Sequence, residues 1–193
     1  MITFKTGFRP QLFAISILVI SMLVIFGWFL KIETLISIYP NWMSMKLLTA
    51  ICFFFSGISL LFMNDRIRFK SKEIIISCCS QWILLLVSLV CIDHFTGFKF
   101  RFNDLFSLEN ATHKIYEYPA IHTLIAFFLV GFSGIVYVFN STKRHIRLKK
   151  IGMIIFFIGI VGSLGYLLNQ PILYSKYGFF SNSMAFHTCV LFC

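Results

Sequence analysis

Two histidines occupy the same place in two separate apolar segments of the chain. His122 and His187 each stand directly before a threonine, in the sequences IHTL and FHTC. Imidazole nitrogens from two helices can ligate haem or a metal, and an ionisable side chain inside a membrane segment is a functional hypothesis by default. Both histidines lie near the end of their segment, however, and a third segment has Leu48 at this position. A polar role at a helix end is therefore favoured, and no cofactor or metal is predicted.

A second pair of titratable residues, Asp93 and His94, closes another apolar segment. Because histidine titrates near neutral pH, such a pair can sense pH or bind a ligand. The alternative is simple placement at the membrane interface. The sequence contains no nucleophile with a paired base, no phosphate-binding glycine loop and no cluster of metal ligands, so no catalytic residue is predicted.

The elements that position these residues must be membrane helices. Of the 193 residues, 59% are hydrophobic and only 12% are charged, whereas a soluble domain is about half apolar and a quarter charged. So few charges cannot cover a surface that faces water, and the expected partner is the lipid bilayer. The net charge of +10 comes from basic residues that flank apolar runs, which encodes membrane topology rather than nucleic-acid binding.

Apolar runs divide the chain into five full spans and a truncated sixth, since a helix needs about 20 apolar residues to cross a bilayer. The sequence therefore predicts an all-α, polytopic transmembrane bundle. It forms a single membrane domain over residues 1–193, with hairpins at about 11–63, 74–139 and 151–193. The spans are Gln11–Leu30, Leu47–Met63, Ile74–Ile92, Tyr118–Phe139, Ile151–Leu168 and the run from Phe179 to Cys193.

The last run is too short to cross a bilayer. Its 15 residues would reach about 22 Å at ~1.5 Å per residue, against a hydrocarbon core of about 30 Å. We therefore expect the natural protein to continue beyond Cys193 into a cytoplasmic effector that is absent from this chain.

The basic residues are divided unequally between the two sides of the predicted bundle. One side, formed by the N-terminus, Asn64–Glu73 and Asn140–Lys150, holds eleven Lys and Arg residues, and the other side holds six. The positive-inside rule places the richer side in the cytoplasm. The prediction is a multi-pass protein of the cytoplasmic membrane with its N-terminus inside the cell.

Three segments of the chain align without gaps. They are SMKLLTAICF from Ser44, YPAIHTLIAF from Tyr118 and SMAFHTCVLF from Ser183, and GWFL from Gly27 also resembles GYLL from Gly165. Each of the three segments has Thr at its sixth position and Phe at its tenth, and the first two have Gly four residues later. These motif residues are Thr49, Phe53 and Gly57, then Thr123, Phe127 and Gly131, and finally Thr188 and Phe192.

The alignment predicts a helical hairpin that is used three times in one orientation. Residues four apart share a helical face, and glycine allows a neighbouring helix to approach closely. Ordinary helix packing explains such a pattern, and the alternative is a ligand-sensitive seam at the outer ends of the even-numbered spans.

The patterns GWFL…P-x-W-x-S-M-K-x-x-T-A and S-M-A-F-H-T resemble the N-terminal multi-helix membrane regions of prokaryotic sensor histidine kinases. The resemblance covers Gly27–Gly57, Tyr118–Gly131 and Gly165–Phe192. In that group similar hairpins precede PAS, kinase or diguanylate cyclase modules. The middle hairpin departs from the pattern in its long outer loop, His94–Glu117.

The resemblance implies a membrane-embedded input domain of a signal-transduction protein, of the two-component sensor kinase kind. It also implies a homodimer formed through the effector, with histidine kinase activity in the full-length parent, while the stimulus is unknown. The alternatives are a small transporter or channel subunit, or a membrane scaffold. Coupled transport pathways usually place an acidic residue inside a span, and the sequence has none there.

Overall fold

A computed structural model of the chain describes residues 9–37, 43–64, 71–96, 119–139, 144–168, 170 and 184–193. Within these ranges every regular element is a helix, as predicted. An apolar run in lipid has no water to bind its backbone, so the helix, which satisfies its N–H and C=O groups internally, is the favoured structure. The helices are α1 (Arg9–Leu30), α2 (Glu33–Ile36), α3 (Leu47–Phe62), α4 (Lys72–Thr96), α5 (Ile121–Phe139), α6 (Arg144–Leu167) and α7 (Phe186–Phe192).

Four of these helices, α1, α4, α5 and α6, are long and apolar enough to cross a membrane. Together they make the protein membrane-embedded. Helix α3 is also apolar, but its 16 residues fall just short of the ~17–25 residues of a typical span.

Some helix boundaries differ from those predicted, and one helix is additional. Helix α6 begins at Arg144, so most of the predicted connection Asn140–Lys150 is helical. Lys and Arg are good helix formers, and their long side chains can carry the charge away from an apolar surface. Near the chain's end, Met184 and Ala185 are not helical and α7 begins at Phe186, while the predicted start of this span near Phe179 lies outside the described residues. The short helix α2 was not predicted.

The described helices form two layers around an aromatic centre. Helix α3 packs against α1, α4 and α5, and α5 packs against α3, α4 and α6, while α7 packs against α6. In the most apolar stretches, 39% of the residues are buried in α5 and 33% in α4, compared with 22% in α1 and 17% in α6. We call α3, α5 and α7 the inner helices, and α1, α4 and α6, which together carry most of the exposed large apolar side chains, the lipid-facing helices. The end of the bundle where α3, α5 and α7 begin is called the predicted outer end below.

Candidate functional site

Three phenylalanine rings from the three inner helices meet at the centre of the bundle. The ring centroids of Phe53 and Phe127 are 4.8 Å apart, those of Phe53 and Phe192 are 4.8 Å apart, and those of Phe127 and Phe192 are 5.1 Å apart. All three rings are buried. Their interplanar angles of 70°, 47° and 64° lie in or near the edge-to-face range that aromatic quadrupoles favour. We call Phe53, Phe127 and Phe192 the phenylalanine cluster.

The phenylalanine cluster is built from equivalent sequence positions. Each ring belongs to the tenth residue of one aligned segment, on α3, α5 or α7 respectively. Because these residues lie at the same distance from the start of their helices, the three helices must also begin at similar heights. The arrangement brings together residues that are more than 60 positions apart along the chain.

The three motif threonines lie one turn closer to the predicted outer end. Thr49, Thr123 and Thr188 are each the third residue of their helix and are all buried. The N-cap residues of α3 and α7 are Lys46 and Ala185, and neither makes a side-chain cap hydrogen bond. Buried hydroxyls in the first turn, rather than cap side chains, are therefore the shared polar feature of these helix starts.

The two motif glycines are points of close approach between an inner helix and the lipid-facing helix that packs against it. A β-carbon built on Gly57 would lie 2.8 Å from Cγ and 3.0 Å from Cδ2 of Leu18 on α1. A β-carbon built on Gly131 would lie at the same two distances from Cγ and Cδ2 of Leu84 on α4. The distance of 2.8 Å is shorter than real β-carbon contacts and that of 3.0 Å is tight, so each leucine occupies the space that the glycine leaves free.

The third hairpin places its glycines on the opposite helix. Gly159 and Gly162 lie on α6, the lipid-facing helix, and both are buried. A β-carbon on Gly159 would lie 2.8 Å from the Cys189 carbonyl oxygen, and one on Gly162 would lie 2.6 Å from Cys189 Sγ. The close approach is therefore kept, but here the inner helix supplies the larger side chain.

Two aromatic side chains donate equivalent hydrogen bonds, one between α1 and the start of α3 and the other between α6 and the start of α7. The Trp28 Nε1–H donates to the Met45 carbonyl oxygen at 2.9 Å, and the Tyr166 hydroxyl donates to the Met184 carbonyl oxygen at 2.7 Å. Met45 and Met184 are aligned residues, each two positions before its helix starts. The donors sit at the ends of α1 and α6, so each bond fixes the end of a lipid-facing helix to the beginning of an inner one.

Equivalent backbone hydrogen bonds also form where α1 and α6 end. The Ile32 N–H donates to the Gly27 carbonyl oxygen, and the Gln170 N–H donates to the Gly165 carbonyl oxygen, both at 2.9 Å. A bond to the carbonyl five residues earlier is typical of the Schellman ending. In α1 this ending places Lys31 in the left-handed region, at φ 57°.

At the opposite end of the bundle, Tyr137 connects three helices. Its ring lies on α5, its hydroxyl donates to the Met63 carbonyl oxygen at 3.3 Å, and the Arg144 guanidinium lies 4.5 Å from its ring centroid. Met63 directly follows α3, and Arg144 begins α6. The contact is a cation–π interaction at a helix start that carries several basic residues.

The two motif histidines are in different surroundings. His122 is exposed and lines a cavity of about 410 Å³ between α5 and α6. His187 is half-buried, and its Nδ1 is buried without a hydrogen-bond partner among the described residues. The described lining of the cavity does not include His187, so the two imidazoles do not share this cavity.

Asp93 and His94 fall within α4, but their side chains lie outside the described part of the molecule. In the parts of the chain that the structure describes, no group of three His, Cys, Asp or Glu residues is arranged to hold a metal ion.

Sequence reasoning missed the larger partners of the glycines and the role of the two aromatic donors. Leu18 has apolar neighbours on both sides and Leu84 is the first of three consecutive leucines, so no local signal distinguishes them. Trp28 and Tyr166 fit an interfacial aromatic belt, and only the similarity between GWFL and GYLL indicated that they share a task.

The chain matches no protein-family model, no curated protein and no solved structure.

Proposed function

We propose that this chain is the membrane-embedded input domain of a signal-transduction protein, of the kind that precedes a histidine kinase. The observation that carries the proposal is the phenylalanine cluster, in which one ring from each inner helix touches both of the others. A stimulus that moves one hairpin changes the packing of all three, and such a domain needs only two packings that bind the stimulus with different affinities.

We further propose that the domain consists of three copies of one hairpin, with the N-terminus in the cytoplasm. The equivalent contacts support the first part, since Gly57 and Gly131 approach Leu18 and Leu84 in the same way. The hydrogen bonds of Trp28 and Tyr166 extend the correspondence to the first and third hairpins. The division of basic residues supports the orientation.

A transporter or channel is less consistent with this centre. A conduction path needs polar groups or water along its axis, whereas the three inner helices meet here through buried aromatic rings. The described parts of α1, α3, α5 and α6 contain no Asp or Glu. A conformational change at this centre would therefore alter packing contacts and would not open a polar path.

Two experiments test the proposal. The first reads the transcript across the codon for Cys193, where an in-frame kinase, PAS or cyclase module supports signalling and further spans favour transport. The second joins residues 1–193 to a histidine kinase core and measures autophosphorylation in membranes. Phe53→Leu or Phe127→Leu should change the basal kinase activity, while the matched change at an exposed ring, Phe128→Leu, should leave it as it is. Equal activity in all three variants would contradict an input role for the cluster.

A further inference from the structure

The cavity beside His122 is an elongated slot along the lipid-facing helix α6. Its α6 residues are spaced three and four apart and so form one helical stripe. From Ile154 to Gly162 this stripe extends about 12 Å at ~1.5 Å per residue. The described residues that line it are Ile154, Phe157, Ile158, Val161 and Gly162 of α6, with His122 of α5 and Met184.

The slot opens to the bilayer. Ile154 is 51% exposed and Phe157 is 68% exposed, on the helix of the bundle that is least covered by protein. A molecule that enters here therefore comes from the lipid phase. The volume of about 410 Å³ falls within the ~300–1,000 Å³ range of small-molecule sites.

The corresponding space in the preceding hairpin is closed. It lies between α3, α4 and α5, where Leu48 takes the position of His122 and Pro119 takes the position of Met184. It has no room for a molecule the size of water. Equivalent positions are thus closely packed between α3, α4 and α5 but leave an open slot between α5 and α6. The slot is therefore a local feature of the α5–α6 contact.

The end of the slot at His122 is polar and favours a negatively charged group. Among the lining residues that the structure describes, only His122 has a side chain that forms strong hydrogen bonds, and it is the second residue of α5. The first N–H groups of a helix lack internal acceptors and carry a partial positive charge. The first turn of α5 holds no acidic residue, so nothing there offsets this preference for an oxygen acceptor.

We propose that this slot binds a single-chain amphiphile, with its chain along α6 and an acceptor headgroup, of the carboxylate kind, at His122. The proposal rests on the proposed function only in naming the class of stimulus, since binding itself requires no effector. A one-chain molecule fits a slot whose described lining follows a single helix and includes one strongly polar side chain, that of His122.

Photolabelling of the full 193-residue chain in phosphatidylcholine nanodiscs tests the proposal. The probe is a long-chain fatty acid that carries a diazirine near the end of its chain. We expect saturable labelling of α6 that excess unlabelled fatty acid removes. His122→Leu, which introduces the residue of the closed counterpart, should weaken binding at least about tenfold, the effect of losing a hydrogen bond to a charged group.

Two variants fill the slot and one serves as their control. Val161→Phe and Ile154→Trp should abolish saturable labelling, and the exposed position of Ile154 lets the second variant fold even if the first does not. Leu164→Phe, on an exposed part of the same helix outside the lining, should bind as the parent does. Labelling that does not saturate, that persists in both filled variants, or that a photoactivatable phosphatidylcholine reproduces equally well overturns the proposal. Because these readouts need no kinase, the binding site can fail while the input function stands.

Discussion

The Tyr166 hydroxyl lies 2.7 Å from the Met184 carbonyl oxygen and donates to it. This bond connects the last turn of α6 to the residues that lead into α7. Trp28 and Met45 form its counterpart at the end of α1. The two pairs show that hairpins of different sequence fix the start of the inner helix in the same way.

Tyr166→Phe should lower the free energy of unfolding by about 1 kcal/mol, the usual net value of a hydrogen bond. The variant removes one hydroxyl and keeps the ring, so little packing is lost. Unfolding in mixed micelles, followed by circular dichroism, measures the change. Tyr137→Phe is the matched control, since its hydroxyl bond is longer at 3.3 Å, and it should cost less. An equal or larger loss in Tyr137→Phe would contradict the importance given to the Tyr166 bond.

Truncation of a ring in the phenylalanine cluster should be among the most damaging changes. Phe127→Ala should cost about 3–5 kcal/mol, the range for a buried phenylalanine. Phe128→Ala changes a neighbouring ring that is 53% exposed and should have little effect. The same unfolding measurement compares the two, and similar losses would mean that Phe127 is not central.

A double-mutant cycle should show that the cluster acts as a unit. Phe53→Leu and Phe127→Leu, made singly and together, should reveal a coupling of about 1 kcal/mol, as edge-to-face aromatic pairs do. Leucine is used because it keeps most of the buried volume. Strict additivity of the two changes would show that the rings only fill space.

The glycine contacts predict which substitutions rescue one another. Gly57→Ala should destabilise the protein, because its β-carbon would collide with Leu18, and Leu18→Ala should restore part of the loss. Leu84→Ala, which makes room in the other hairpin, should not rescue it. Gly152→Ala is the control, since no atom lies within 4 Å of its β-carbon, and it should be neutral or stabilise α6 by up to about 1 kcal/mol. If Leu84→Ala also restored stability, the destabilisation by Gly57→Ala would not come from the contact with Leu18.

The orientation is tested with alkaline phosphatase fusions, which are active only outside the cytoplasm. Fusions after Arg68 or Arg147 should be inactive, and fusions near Ser37 or Asn110 should be active. The reverse pattern would place the N-terminus outside and would move His122 and its slot to the cytoplasmic side.

The sequence predicted the helical class because apolar runs of span length have few alternatives. It also selected Phe53, Phe127 and Phe192, since a shared position in three aligned segments is visible without a structure. The sequence did not show which residues of different helices contact one another. No pattern in α1 distinguishes Leu18 from its apolar neighbours, because only the facing glycine makes that position special.

The start of α6 was missed for a related reason. A row of basic residues predicts a connection between spans. The same residues are good helix formers, and the Arg144 guanidinium packs over the Tyr137 ring. The cavity at His122 was also beyond prediction, since it depends on how α6 lies against α5 and not on the type of any one residue.

The two layers of the bundle have different lengths. The lipid-facing helices α1, α4 and α6 have 22, 25 and 24 residues, or about 33–38 Å at ~1.5 Å per residue. The inner helix α3 has 16, or about 24 Å by the same measure. The basic segment 144–150 of α6 extends beyond its apolar part, so these longer helices reach from a core of about 30 Å into the headgroup region. We expect a thinner membrane to tilt them, and the contacts of Leu18 with Gly57 and of Leu84 with Gly131 would then transmit the tilt to the inner helices.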